Sequence, residues 1–183
     1  MNDVTQLLEA ANRGDRQAAA ELLPLVYEEL RKLAAARMAH ENPGQSLDAT
    51  ALVHEAYLKL VGDRNFNDRQ HFFRVAAEAM RQILIDRARR RRSQRHGGHC
   101  EQVGLSEVTS FADAPADDLI ALDEALTRFS QIDPQKAELV KLRYFTGMSE
   151  QEAAQVLGIS RATASRHWTF ARAWLIQAME DDA

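Results

Sequence analysis

The sequence predicts an all-α chain of two small helical domains joined by a flexible acidic linker, and three observations predict it. Helix formers (Ala, Leu, Glu, Arg, Gln) dominate, aromatics are few, and little of the chain alternates apolar and polar residues as a half-buried strand does. Apolar residues recur instead at spacings of three and four. Gly97, Gly98, Gly104, Ser106, Ser110 and Pro115 interrupt that periodicity, which places the linker at residues 94–117 between domains at residues 1–93 and 118–183.

In chain order, Leu22, Val26, Leu30 and Leu33 form a helical stripe running to about His40, with Pro24 expected at a helix start or a kink. In LDATALVHEAYLKLVG, Leu52, Ala56 and Leu60 share one face with Val53 and Tyr57 beside them. Asp48, His54, Glu55 and Lys59 are then able to face outward, the last two as an i, i+4 ion pair. Residues 62–70 read as a polar loop, after which Asn67 or Asp68 caps a helix from about His71 to Arg92 with Phe72, Val75, Ala79 and Ile83 inward. That helix ends in a block of Arg87, Arg89, Arg90, Arg91, Arg92 and Arg95 with no intervening acid. Beyond the linker, Leu119, Leu122, Leu126 and Phe129 make one amphipathic helix. Asp133-Pro134 starts the next, as a cap followed by proline at the first helical position, and Gly147 stops it.

Ser149 to Arg172 then reads as a helix-turn-helix. Ser149 and Glu152 are spaced as a capping box, Ala154 is small where two helices must cross closely, and Gly158 supplies a left-handed residue to leave the first helix. Ser160 caps a second helix that buries Ala164, Trp168, Ala171 and Leu175 and turns Arg161, Ser165, Arg166, Thr169 and Arg172 outward. No acid lies between Gly158 and Gln177, as a helix set between phosphates requires. The plainer reading is a pair of packed helices with a basic surface.

The net charge of −4 hides a segregation: the seven acids from Glu101 to Glu124 (Glu101, Glu107, Asp113, Asp117, Asp118, Asp123, Glu124) stand without a single Lys or Arg, so the rest of the chain is net positive. The lone Cys100 excludes an intramolecular disulfide, and no apolar run has the length of a membrane span, so a soluble cytoplasmic protein without membrane insertion is expected. His96, His99 and Cys100 lack a fourth ligand and match no common zinc spacing, and His54-Glu55 lacks a partnered nucleophile, so neither a metal, another cofactor nor catalysis is expected. A helix-turn-helix transcriptional regulator that is not a polymerase subunit, and a helical adaptor, remain as rival classes. The first lacks a recognisable sensor half, and the second needs no acid-free helix.

Across nearly its whole length the chain resembles the extracytoplasmic-function sigma factors of bacterial RNA polymerase. Asp48-Ala49, Leu52-Val53, Glu55 and Tyr57-Leu58-Lys59-Leu60 are similar to the region-two helix that docks on the polymerase clamp, and HFFRVAAEAMRQILIDRARRRR resembles the following helix, which binds the melted minus-10 strand. Gly158, Ile159, Ser160, Thr163 and Ala171-Arg172 resemble the minus-35-reading helix of region four. The resemblance implies core RNA polymerase and promoter DNA as partners and admits an anti-sigma factor. It implies core docking through Asp48, His54, Glu55 and Lys59. It also implies minus-10 contacts from Arg74, Glu78, Arg81, Gln82, Arg87, Arg89, Arg90 and Arg91, and minus-35 contacts from Arg161, Thr163, Ser165, Arg166, His167, Thr169 and Arg172. The chain departs from the family pattern at His71-Phe72, at Thr50-Ala51, at Ala164, and at Glu78, where many members carry asparagine.

Overall fold

The computed structural model of the chain describes residues 2–38, 49–61, 66–94 and 116–182, and within them every regular element is a helix. In order these are α1 (Asn2–Asn12), α2 (Arg16–Met38), α3 (Ala49–Val61), α4 (Arg69–Gln94), α5 (Ala116–Ile132), α6 (Pro134–Thr146), α7 (Glu150–Leu157) and α8 (Arg161–Asp181). Residues 95–115, which hold most of the expected linker together with His96, His99 and Cys100, lie outside the described residues, as does Asp48.

Local chemistry accounts for the helix ends. Asp68 caps α4 by accepting the His71 backbone N–H at 2.6 Å, and Asp133 caps α6 by accepting that of Lys136 at 3.0 Å, ahead of Pro134. The Lys136 ammonium on the same carboxylate, foremost among its interactions, holds the Asp133 pKa below the usual range. Gly147 closes α6 at φ 71°, in the left-handed region. Pro24 departs from expectation: it neither starts α2 nor precedes it, but lies inside that helix. Leu22, Leu30 and Leu33 on both sides of it are buried, and this packing offsets the missing backbone donor.

The core is one contiguous cluster that runs from Leu8 in α1 to Leu175 in α8. α4 is its spine. Besides the expected Phe72, Ala79 and Ile83 it buries Phe73, Ala76, Ala77, Met80, Leu84, Ile85 and Ala88, whereas Val75 is half-buried. A helix apolar on more than one face needs partners on more than one side. α4 finds them in α3 from its own half of the chain and in α5 and α6 from the other. No described helix is long and apolar enough to cross a membrane.

Candidate DNA and polymerase interfaces

The helix-turn-helix is built as its sequence requires. The Ser149 hydroxyl accepts the Glu152 backbone N–H at 3.3 Å and the Glu152 carboxylate accepts the Ser149 backbone N–H at 2.8 Å, a reciprocal capping box. At the other end of α7, Gly158 takes φ 66°, and the N–H groups of Gly158 and Ile159 return to the carbonyls of Gln155 and Ala154 at 3.2 and 3.0 Å. Two residues later Ser160 caps α8 by accepting the Thr163 N–H at 3.1 Å. Ala154, Ala164, Ala171 and Leu175 are buried and Trp168 is partly buried, so the apolar stripe of α8 faces α6 and α7.

The opposite face of α8 presents Arg161, Ser165, Arg166 and Thr169 to solvent, with Arg172 half-buried at its edge. Arg166 is within 3.3 Å of the Thr163 hydroxyl, and Arg161 is 3.6 Å from Glu150. His167 is turned further inward than its sequence position suggests: it is half-buried and its Nδ1 is enclosed.

Arg143 on α6 is a residue that periodicity does not single out. Its guanidinium lies over the Trp168 ring at 4.0 Å and its Nη1 is 3.8 Å from Glu150, so one cation ties the second helix of the motif to the first. Burial pulls its pKa below the ordinary arginine value, with Glu150 opposing the shift. The one legible hint is a lone arginine three residues ahead of a helix end, among Leu142, Tyr144 and Phe145. Arg143→Ala is expected to cost about 2 kcal/mol, the worth of a desolvated cation–π contact, and to lower the melting temperature by roughly 4–8 °C in a chain of this size. Thermal circular dichroism measures it, and Arg143→Lys should restore only part because the flat stacked fork is lost.

On α4 the residues that the resemblance implies for the minus-10 strand divide. Arg74 and Gln82 are exposed, and Gln82 receives a 3.4 Å hydrogen bond from Lys59 of α3. Arg81 is not on open surface: its side chain is only 11% exposed, with Nε 2.7 Å from the Asp123 carboxylate of α5 and Nη2 2.8 Å from the Thr127 hydroxyl. Glu78 lies 3.4 Å from Arg81 and 3.3 Å from Lys141 of α6. Burial raises the Glu78 pKa, but the two cations outweigh it and hold the carboxyl below its usual range. In the arginine block, Arg89 is 3.6 Å from Asp123, Arg92 is 4.0 Å from Asp117, and Arg87 pairs with Glu55 of α3. Arg90 is exposed and Arg91 half-buried.

On α3 the structure turns His54, Glu55 and Lys59 outward as expected, but Glu55 engages Arg87 rather than Lys59, and His54 Nε2 is 3.1 Å from the Tyr27 hydroxyl. Between them stands a residue outside that polar set: Leu58 is 72% exposed, the most open of the large apolar side chains described. Its position about 160° from the middle of the Leu52–Ala56–Leu60 stripe, at roughly 100° per residue, is the signal that marks it.

None of the curated proteins compared matches the chain. The family model described as "ECF sigma factor" matches residues 1–181, and so spans the α3–α4 surface as well as the helix-turn-helix. With that match covering both halves of an all-helical fold, the chain belongs to the ECF sigma factors, which serve in transcription initiation.

Proposed function

We propose that the chain binds core RNA polymerase and directs it to promoters by reading a minus-35 element through α8 and a melted minus-10 strand through α4. The observation that carries this reading is the outer face of α8, free of acids from Arg161 to Gln177 and held by two caps and the Gly158 turn within a chain that the family match covers from residue 1 to residue 181. Ser165, Arg166 and Thr169 stand where base edges are met, and Arg161, Thr163 and Arg172 at the flanks where phosphates lie. The α4 surface from Arg74 and Gln82 to the arginine block supplies the second DNA contact, and the outward side of α3 docks on the polymerase with Leu58 as its apolar anchor. Two modest contacts on one chain give a stable complex through effective concentration.

Comigration of the purified chain with core RNA polymerase, followed by initiation at discrete promoters, tests the reading; tight duplex binding without either would favour the helix-turn-helix regulator. Within the complex, Arg166→Ala should relax preference at one minus-35 position by about 1–3 kcal/mol. Arg172→Ala should weaken all promoters alike and reduce the salt slope by about one. Equal and uniform losses from both changes would overturn this division of roles.

A further inference from the structure

A basic surface that holds a nucleic-acid strand has no electrostatic use for an acid, since an acid repels the phosphates. Glu78 is the only acid among the α4 residues proposed to meet the melted strand, with the exposed Arg74 one turn before it and the exposed Gln82 one turn after. Its pKa lies below the usual range, so it is ionised at neutral pH, and 37% of its side-chain surface is open. Oε2 has Lys141 at 3.3 Å and Arg81 at 3.4 Å, and Oε1 accepts the Gln82 amide at 3.4 Å. A carboxylate offers about four acceptor sites, so Glu78 can accept further donors.

What an acceptor-only group can read depends on whether the base is paired. In the major groove of a duplex, guanine shows only acceptors, and the cytosine amino group is the donor that suits a carboxylate. An unpaired base offers its Watson–Crick edge instead. There guanine alone presents two adjacent donors, N1–H and the N2 amino group, spaced for the two oxygens of one carboxylate. Thymine has a single N3–H between two carbonyls. The amino groups of adenine and cytosine each stand beside a ring nitrogen whose lone pair would face the second oxygen. We infer that Glu78 selects guanine at one unpaired position of the minus-10 strand, its two carboxylate oxygens accepting the N1–H and the N2 amino group in a charge-assisted pair, with Arg74 on the adjoining phosphate. The inference rests on the reading of α4 as the strand-binding helix and names the base it takes. The paired edge offsets the repulsion that the acid brings to the surface.

Core RNA polymerase carrying the wild-type or the Glu78→Gln chain transcribes a pool of one responsive promoter randomised over its minus-10 region, and the transcripts are counted by template. The expected result is guanine favoured about tenfold at one position with the wild type. With Glu78→Gln the preference there should switch to adenine or cytosine, because an amide pairs one acceptor with one donor. A purely structural carboxylate would not change which base is chosen. Should Glu78→Gln fail to fold, the wild-type chain carries the test: inosine in place of that guanine removes only the N2 amino group and should lower initiation about tenfold, although it eases melting. Replacement by 7-deazaguanine, which alters only the major-groove edge, should leave initiation unchanged. No guanine preference at any minus-10 position, a guanine preference that survives Glu78→Gln, or indifference to inosine overturns the inference and leaves the strand-binding reading standing. No base preference anywhere in the minus-10 region, beside an intact minus-35 preference, overturns that reading of α4 as well.

Discussion

Leu58→Asp is expected to weaken binding to core RNA polymerase by about 2 kcal/mol or more, the scale of an anchor residue at an interface centre, or roughly thirtyfold in affinity. The side chain is 72% exposed on α3, so its removal deprives the free protein of almost no packing. The melting temperature should move little, since aspartate for leucine in a solvent-facing helical position costs only about 0.5 kcal/mol. Leu58 is a sharper probe than Glu55, whose carboxylate pairs with Arg87. Glu55→Lys would set two cations together and disturb the α3–α4 contact along with any docking surface. Binding measured by fluorescence titration of core enzyme decides the matter; unchanged affinity would place the docking surface elsewhere.

Phe129→Ala carries the largest expected loss of stability. The ring is fully buried in α5, stacked on Trp174 of α8 at 4.8 Å between centroids and tilted against Phe170 at 6.3 Å. Its truncation opens a cavity between α5 and α8 that neither flanking ring can fill without moving the helix that carries Arg166. A cost of about 3–5 kcal/mol follows, or a fall in melting temperature of roughly 6–20 °C at 2–4 °C per kcal/mol for this chain length. Because α8 loses its backing, specific duplex binding should fall even below the melting transition. A melt that moves by only a degree or two would show that α5 and α8 are not packed as described.

What was legible in the sequence follows the range of the interaction involved. The Ser149–Glu152 box, the Asp133-Pro134 start, the left-handed turns at Gly147 and Gly158 and the buried stripe of α8 are each decided within a few residues, and the structure places them as the spacing predicts. Pro24 shows the limit of a local rule: packing on both sides of it keeps α2 continuous where propensity alone would start an element. The multiple apolar faces of α4 were present in the run Phe72-Phe73 through Leu84-Ile85, yet a single inward stripe misses that such a helix must be covered on more than one side. The pairing of Arg81 with Asp123 spans 42 residues, and no local pattern selects that acid among the seven of its segment. The covering of Arg81 by Asp123 was not legible for this reason, whereas Arg74, Gln82 and Arg166 are exposed, as the local pattern allows.

The most direct test of the central claim is reconstituted transcription on a fragmented genomic template with core RNA polymerase purified from the same cells, comparing core alone, core with the wild-type chain and core with the Arg166→Ala chain, and reading transcript 5′ ends. The account predicts discrete starts that need the wild-type chain, each preceded by a shared pair of upstream elements, and a loosened consensus at one minus-35 position with Arg166→Ala. Starts that do not depend on the chain, or starts preceded by no shared pair of elements, would contradict it.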